Sequence, residues 1–353
     1  MENTTPNTNN FLNWVEIKNF KSIKDLRFDC KRVNVFIGKP NVGKSNILEG
    51  LGLLGASQDE NKYLNGALRY ATIKDLFTDN NTEQPIEINT DRISTLLQLN
   101  EPVDYVAKDR FELRKTTKPS LFRSFLFDES GQVSTSSAVV FTKREERDPF
   151  ETYQVSFVKK YDFAHLNTFH VAFGQYLLPP HGANMYAIIN RSTELWNEFA
   201  TLFLDQGLEF VLSDSEQTFV LQKKIGQRIK QYPFFSIADT FRRFMFYITA
   251  IESNKNSVII FEEPEVHSFP PYVKAMAHRI VDSDENQFFI STHSPYLLQT
   301  LIRELDASQL TVFITYYKDY QTCVRPLTAD ELREAEDLSI DLFYNLSRYE
   351  PNA

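Results

Sequence analysis

The sequence of 353 residues predicts an α/β fold built around a parallel sheet. Three observations lead to this prediction. An apolar, β-branched run over residues 33–37 is followed by a glycine-rich loop and then by apolar residues at helical spacing. A second apolar run, over residues 257–261, ends in adjacent carboxylates. From about residue 256 to residue 325, strands and helices alternate, which is typical of a parallel α/β core.

The first element is the glycine-rich loop, which reads G-x-x-x-x-G-K-S over residues 38–45. Such a loop forms an anion cradle, because its N–H groups converge and the following helix dipole adds partial positive charge. We expect Lys44 to reach the β- and γ-phosphates and the Ser45 hydroxyl to bind Mg²⁺. The loop therefore predicts binding of a nucleoside triphosphate. The predicted contact residues are Gly38, Lys39, Pro40, Asn41, Val42, Gly43, Lys44, Ser45 and Asn46.

The same octet resembles the phosphate loop of translation-type GTPases, which also carry a D-x-x-G switch and an N-K-x-D guanine reader. The single D-x-x-G, over residues 128–131, lies between two predicted strands and fits a hairpin turn better. The pairs Asn61-Lys62 and Asn254-Lys255 both lack the required aspartate. The GTPase interpretation therefore fails.

The second half of the chain supplies the acids that an ATPase needs. Glu262 and Glu263 follow a predicted central strand, at the carboxyl end where α/β sheets place ligands. We expect Glu262 to hold Mg²⁺ through water and Glu263 to orient or deprotonate the attacking water. A further short strand ends near His293, which is predicted to contact the γ-phosphate and report its presence.

These motifs together resemble the RecF/SMC-like branch of the ABC ATPases, and more narrowly the stand-alone AAA-type (AAA15/AAA21) ATPases of bacteria. The resemblance implies an ABC-type head, with a mixed β-sheet lobe around the phosphate loop and an inserted helical lobe. It also implies a homodimer or higher homo-oligomer that sandwiches ATP and Mg²⁺, and a place in an anti-phage or overcoming-lysogenization-like module. The matching segments are residues 14–23, the phosphate loop, residues 262–265 and residues 291–295.

Two positions depart from the family pattern. Glu262 stands where most relatives carry Asp, and the longer side chain could slow hydrolysis. The expected signature loop is replaced by residues 235–243, where Ser236 or Thr240 could present a hydroxyl to the partner's γ-phosphate. Asp239 stands where glycine is expected, and its charge would repel phosphate. Alternatively, Ser236 caps a core helix, with Asp239 completing a partial capping box.

The chain divides into four zones. We expect a disordered, non-secretory lead-in over residues 1–11 and a strand-rich part of the ATPase lobe over residues 12–160. A helical lobe with the signature region is predicted over residues 161–254, and the rest of the ATPase lobe over residues 255–353. No sustained heptad pattern occurs between Ser45 and Ser236, so a long coiled coil is not expected. No metal cluster of the Toprim type is expected. The spacing of the acids within residues 330–337 predicts that they lie on the solvent-exposed face of one helix.

Composition restricts the partners. The net charge of −9 argues against a globally basic nucleic-acid binder, but basic clusters near residues 108–123 and 223–230 allow DNA contact. No apolar run reaches the roughly 18 residues of a membrane span, so no membrane association is predicted. The two cysteines lack metal or disulfide spacing and fit a reducing cytoplasm.

Three functions remain open. The first is an ATPase and sensor that dimerises on ATP, with an effector (a nuclease or toxin) encoded nearby. The second is a regulatory scaffold in which ATP is a structural ligand and is not turned over. The third is a RecF-like DNA repair ATPase, which would bind DNA in a salt-sensitive manner.

Overall fold

The computed structural model describes residues 9–55, 64, 68–100, 110–117, 121–127, 138–141, 157–338 and 340–351. The strands in these residues are β1 (Trp14–Phe20), β2 (Ile23–Asp29), β3 (Val33–Gly38), β4 (Ile86–Thr90), β5 (Ile93–Asn100), β6 (Arg110–Thr117), β7 (Leu121–Phe127), β8 (Ala138–Phe141), β9 (Val158–Tyr161), β10 (Glu209–Ser213), β11 (Thr218–Ile225), β12 (Arg228–Pro233), β13 (Val258–Glu262), β14 (Gln287–Ser291), β15 (Leu310–Lys318) and β16 (Gln321–Pro326). The helices are α1 (Lys44–Gly55), α2 (Met185–Arg191), α3 (Thr193–Thr201), α4 (Asp239–Ser253), α5 (Pro270–Asp282), α6 (Pro295–Glu304), α7 (Ala329–Asp337) and α8 (Leu346–Tyr349).

A six-stranded sheet in the order β16-β15-β3-β14-β13-β9 forms the centre of the molecule. Its strands run parallel except β16, which pairs antiparallel with β15. Strand β3 is buried over its whole length, as expected for an inner parallel strand covered on both faces. The predicted α/β fold with a parallel core is thus confirmed.

The central sheet separates two apolar cores. Val35 and Ile37 point into the core that contains α4, α5 and α6, whereas Phe36 points into the core that contains α1. This alternation follows from the period of two along a strand, which places successive side chains on opposite faces. Both faces of the sheet are therefore sealed, and the carboxyl ends of the strands form one polar edge.

The second core also contains one side of a seven-stranded antiparallel sheet in the order β2-β1-β4-β5-β6-β7-β8. Its strands β4, β6 and β7 lie in residues 12–160, the part of the chain that is predicted to be rich in strands. Strands β7 and β8 pair antiparallel, which agrees with a hairpin around the D-x-x-G at residues 128–131, although the turn itself lies outside the described residues.

The region predicted as helical, residues 161–254, is only partly so. Helices α2, α3 and α4 lie in it, but β10, β11 and β12 form a separate antiparallel sheet. Strands β11 and β12 are joined through Gly226, which has a positive φ of 60°. A two-residue turn that begins with glycine is a hairpin signal, and reading only the helical spacing overlooked it.

No long coiled coil is present among the described residues, whose longest helix is α4 with 15 residues. None of the helices in the described part of the chain combines the length and the apolar character needed to cross a bilayer.

Candidate nucleotide-binding site

The glycine-rich loop connects the carboxyl end of β3 to the first turn of α1. Two of its residues adopt left-handed backbone angles, Asn41 with φ of 62° and Gly43 with φ of 98°. Asparagine tolerates this region, while at Gly43 a Cβ atom would also lie 1.9 Å from the Thr322 hydroxyl oxygen. A Cβ at Gly38 would lie 2.3 Å from the carbonyl oxygen of Thr315. Both glycines are therefore required by close packing against β15 and β16.

A chain of hydrogen bonds supports the loop from behind. The Thr322 hydroxyl donates to the Val42 carbonyl at 2.9 Å and lies 2.6 Å from the Ser22 hydroxyl oxygen. The Asn46 amide donates to the same Ser22 oxygen at 2.6 Å. The Asn46 side chain thus faces the interior of the protein, and a contact of this residue with nucleotide stays a prediction.

Lys44 lies buried at the start of α1. Its ammonium donates to the carbonyl oxygens of Gly38 and Lys39, both at 3.0 Å. Burial lowers the pKa of Lys44, and the nearby Glu263 and Glu262 oppose this shift. The amine is therefore held inside the curve of the loop and within electrostatic reach of both predicted acids.

Glu262 is the last residue of β13, the second strand beyond β3 in the sheet. Its carboxylate accepts a hydrogen bond from the Ser45 hydroxyl and lies 3.5 Å from the Lys160 ammonium and 3.2 Å from the Arg69 guanidinium. Burial acts to raise the pKa of Glu262, but Lys160, Ser45 and Arg69 outweigh it and lower the pKa. Glu262 is therefore held as a carboxylate next to the Ser45 hydroxyl.

Glu263 and His293 face each other across the ends of β13 and β14. Their side chains approach to 3.4 Å between Oε1 and Nε2. Burial and the Lys44 charge lower the pKa of His293, while Glu263 opposes the shift. Glu263 has a positive φ of 44°, and its N–H donates to the Ser291 carbonyl at 3.0 Å. This turn directs Glu263 toward the histidine.

The structure thus brings together five of the predicted residues, from three segments far apart in the sequence. They converge because β3, β14 and β13 are adjacent parallel strands whose carboxyl ends share one edge. The five residues are Lys44, Ser45, Glu262, Glu263 and His293.

The remaining loop residues, Lys39, Pro40 and Asn41, are exposed at the mouth of the site. The Lys39 ammonium lies 2.8 Å from the Glu350 carboxylate near the end of the chain. The His293 ring lies 6.3 Å, between centroids, from the ring of Phe343. The segment 340–351 therefore touches both the phosphate loop and the histidine.

The predicted signature residues lie at the start of α4. The Ser236 hydroxyl donates to the Pro233 carbonyl at 2.7 Å, and the Thr240 hydroxyl accepts from the Phe269 N–H at 3.0 Å. The described residues give neither of them a hydrogen bond to the phosphate loop. Their contact with a nucleotide held by a partner chain stays a prediction.

The alternative in which Ser236 caps α4 is wrong. The N-cap position belongs to Ala238, which makes no side-chain capping bond, because the helix begins only at Asp239. The Asp239 carboxylate accepts from Arg243 at 2.8 Å and lies 3.4 Å from the His165 ring. The charge expected to repel phosphate is thus paired within the chain.

Sequence reasoning missed several residues around the site. Lys160 lies beside Glu262 because β9 pairs with β13, and the local sequence gives no indication of that pairing. Arg69 also bonds Glu49 of α1, at 2.5 Å, and so joins the helix to the acids. Asn254, weighed earlier in a guanine-reader motif, is buried and bonded to the Tyr161 hydroxyl.

The C-terminal acids do not form a metal site. Glu331 completes a capping box with Thr328 and pairs with Arg325, and Glu334 pairs with Arg348. Within the described residues, no group of three or more His, Cys, Asp or Glu side chains is placed to hold a metal ion by itself.

A phosphate loop at the end of a parallel strand, with paired acids at the end of a nearby strand, is typical of the P-loop class of proteins that bind nucleoside triphosphates. The chain belongs to the AAA ATPase domain family (AAA_15), whose model matches residues 11–220. The match confirms the resemblance to AAA-type ATPases drawn from the motifs. The chain is therefore an ATP-binding protein of the ATPase class.

Solved SMC head domains are similar to this chain at low identity. An Smc head bound to the C-winged helix domain of ScpA has 14% identity and a TM-score of 0.47, covering 92% of this chain and 99% of that chain. The SMC head domain from Thermotoga maritima has 13% identity and a TM-score of 0.39, with coverages of 90% and 99%. An Smc head with an extended coiled coil, bound to the C-terminal domain of ScpA derived from Pyrococcus furiosus, has 13% identity and a TM-score of 0.48, with coverages of 94% and 100%. No curated protein matches the chain.

Proposed function

We propose that this protein binds ATP with Mg²⁺ at the phosphate loop and hydrolyses it. The observation that carries the proposal is the convergence of Lys44, Glu263 and His293 at one edge of the sheet. Phosphoryl transfer depends on positioning and charge stabilisation, and these groups supply both. In this assignment Lys44 leaves the loop carbonyls to bind the β- and γ-phosphates.

The residues present fit a magnesium ion. Ser45 and Glu262 offer a hydroxyl and a carboxylate that are joined by a hydrogen bond. Mg²⁺ prefers such hard oxygen ligands, together with the phosphates of the substrate. When bound, the ion would neutralise the charge of the β- and γ-phosphate oxygens.

Glu263 is the proposed general base. It would accept a proton from the water whose oxygen attacks the γ-phosphorus, while the bond to the bridging oxygen breaks and ADP leaves. General base catalysis contributes typically ~10²–10⁴-fold to a rate. His293, 3.4 Å from Glu263, would donate its ring N–H to the γ-phosphate and so register whether this group is present.

We also propose that ATP closes a homodimer, or a higher homo-oligomer, of this chain. Ser236, before α4, and Thr240, in its first turn, bond local backbone groups and make no hydrogen bond to the phosphate loop among the described residues. In the proposed dimer their hydroxyls would face a nucleotide held by the partner chain. The helix N-terminus at Asp239 adds partial positive charge, and Arg243 neutralises the carboxylate there.

The biological setting that we propose is a bacterial anti-phage module in the cytoplasm. Support comes from the family match and from the resemblance of the motifs to defence ATPases. In this setting the ATP-bound dimer would hold or release an effector, a nuclease or toxin encoded nearby.

The scaffold alternative has one structural argument. Glu262 is already engaged by two cations, Lys160 and Arg69, which compete with a metal ion for its oxygens. Strong competition would leave ATP bound but slowly hydrolysed.

Steady-state phosphate release with ATP and Mg²⁺ tests the proposal. We expect Lys44→Ala to lose ATP binding, and Glu263→Gln to bind ATP and accumulate as a dimer in mass measurements. Glu331→Gln, which alters the cap of α7 and none of the proposed site residues, serves as the control. Turnover near or above about 1 s⁻¹ supports the enzyme. Equal turnover in the wild type and Glu263→Gln would refute the assignment, and tight ATP binding without turnover would favour the scaffold.

A DNA repair ATPase remains a second candidate because of the hairpin formed by β11 and β12. Lys223 and Lys230 lie directly opposite each other, and both interact with the Tyr232 ring. Like charges directly opposite in a sheet are destabilising. Among the described residues, neither lysine has an acidic partner in an ion pair.

Reversing both charges, Lys223→Glu with Lys230→Glu, tests this candidate. If the hairpin binds DNA, the double variant should lose ATP-dependent, salt-sensitive DNA retention. Reversal of the exposed Lys255 and Lys274 changes net charge equally and should retain binding. Unchanged DNA binding in the hairpin variant would exclude this surface.

A further inference from the structure

The residue Glu265 lies two positions beyond the proposed general base. Its Oε2 atom is shielded from solvent and makes no hydrogen bond to any of the described residues. A carboxylate oxygen left in this way is unfavourable unless the other oxygen is held by strong contacts. The proposed catalytic roles give Glu265 no task, so its placement requires another explanation.

The other oxygen, Oε1, binds the segment that carries the histidine. It accepts from the Thr292 hydroxyl at 2.8 Å and from the His293 N–H at 2.6 Å. Burial raises the pKa of Glu265, and the hydrogen bonds from the His293 N–H and the Thr292 hydroxyl oppose this shift. The Thr292 hydroxyl in turn accepts from the Ser294 N–H at 2.9 Å, and Ser294 caps α6. One carboxylate oxygen therefore fixes the path of the chain from β14 into α6.

The turn that carries Glu263, at the end of β13, is also held by a backbone hydrogen bond. Glu263 adopts a left-handed conformation, and its carbonyl accepts from the Val266 N–H at 3.1 Å. Glu265 is part of this tight turn, so its side chain links the acid turn to the histidine turn. The distance of 3.4 Å between Glu263 Oε1 and His293 Nε2 depends on both turns.

We propose that Glu265 is a positioning residue, which sets the His293 ring relative to Glu263 and hence to the γ-phosphate. The inference rests on the proposed function, because it assigns the positioning of a histidine that acts on ATP. Glu265 itself is not expected to touch the nucleotide.

The chain offers a conservative variant and a matched control. Glu265→Gln keeps an amide oxygen as an acceptor for Thr292 and His293, whereas Glu265→Ala removes it. Glu331→Ala also deletes a carboxylate that accepts from a backbone N–H and an arginine, but in α7, which carries none of the proposed site residues. A loss of stability alone would therefore appear in the control as well.

The first test separates kcat from KM for ATP in the full chain. Glu265→Ala should lower kcat by about 10–100-fold, the range typical for loss of a group that orients another. The KM for ATP should stay unchanged, and Glu265→Gln should retain most of the wild-type kcat. In the double variant Glu265→Ala/His293→Ala, kcat should be no lower than in His293→Ala alone. An unchanged kcat in Glu265→Ala, or additive losses in the double variant, would overturn the inference.

The second test does not depend on turnover. The His293 ring signal in a proton–carbon NMR spectrum, assigned with His293→Ala, should move in Glu265→Ala and keep its position in Glu265→Gln and Glu331→Ala. A signal that is unmoved in Glu265→Ala refutes the positioning role. A wild type that binds but does not hydrolyse ATP, with the expected signal shifts, would instead refute the proposed function and leave the positioning role standing.

Discussion

Replacement of Gly43 by alanine tests whether the phosphate loop is fixed by its packing against β16. The left-handed φ of 98° at Gly43 is unfavourable for an L-residue by about 1–2 kcal/mol. The new Cβ would also lie 1.9 Å from the Thr322 hydroxyl oxygen, so Thr322 must move. Its hydrogen bonds to Val42 and Ser22 are then lost, at about 0.5–1.5 kcal/mol each.

These contributions predict that Gly43→Ala lowers the free energy of unfolding by about 2–5 kcal/mol. Gly226→Ala is the matched control, because Gly226 also has a positive φ, of 60°, but no atom lies within 4 Å of its would-be Cβ. The control should show only the backbone contribution of about 1–2 kcal/mol. Urea denaturation followed by tryptophan fluorescence measures both variants.

The same substitution in a Thr322→Ala protein tests the contribution of the contact with Thr322. With Thr322→Ala present, the contact of 1.9 Å with the Thr322 hydroxyl is gone, while Ser22 Oγ and the Cβ of residue 322 still lie 2.9 Å from the new Cβ. Gly43→Ala should then be less unfavourable than in the wild type, because the hydrogen bonds of Thr322 can no longer be lost. Equal destabilisation by Gly43→Ala and Gly226→Ala, or full additivity with Thr322→Ala, would show that this reasoning about the loop is wrong.

Three other predictions follow from the site. Glu263→Gln should keep the affinity for ATP and lower turnover by ~10²–10⁴-fold, measured by phosphate release beside a binding titration. Burial acts to raise the pKa of Glu262, but Lys160, Ser45 and Arg69 outweigh it and lower the pKa below the ordinary value of 4.5. The ionised Glu262 carboxylate therefore stabilises the folded protein above pH 4.5, and this stabilisation is lost as the pH falls through the lower pKa of the folded state. Lys160→Gln should reduce this acid-induced loss of stability, as shown by urea midpoints at neutral and acidic pH. Glu350→Gln removes the exposed ion pair with Lys39 and should change the free energy of unfolding by less than about 1 kcal/mol. A larger change in urea denaturation would show that this ion pair is not a weak surface contact.

The core strands were predictable because burial on both faces requires apolar, β-branched residues. The predicted strand at 33–37 is β3 (Val33–Gly38), and the predicted helix near Ser45 is α1 (Lys44–Gly55). The run ending in Glu262 and the run before His293 are β13 and β14. In each case the local pattern alone specifies the element.

What the sequence did not reveal are the contacts that depend on strand order. Nothing in the local pattern indicates that β9 lies beside β13 and so brings Lys160 to Glu262. Likewise, the Ser22 and Thr322 hydroxyls are 300 positions apart, and they meet only because β16 packs behind the loop. Glu265 belongs to the segment 262–265 that carries the family resemblance, but its hydrogen bond to the His293 N–H depends on the register of β13 against β14.

The hydrogen bond from Thr322 to Val42 joins residues 280 positions apart, and β3 lies between β14 and β15, which are both made late. A ribosome adding about 5–20 residues per second needs roughly 14–56 s to travel from one end of that bond to the other. Within this interval β3 has neither of its neighbours in the central sheet until β14 (Gln287–Ser291) has been made, and β15 (Leu310–Lys318) follows later still. The phosphate loop therefore acquires the contacts that support it only after β15 and β16 have been made, and a product that stops before these strands would lack them.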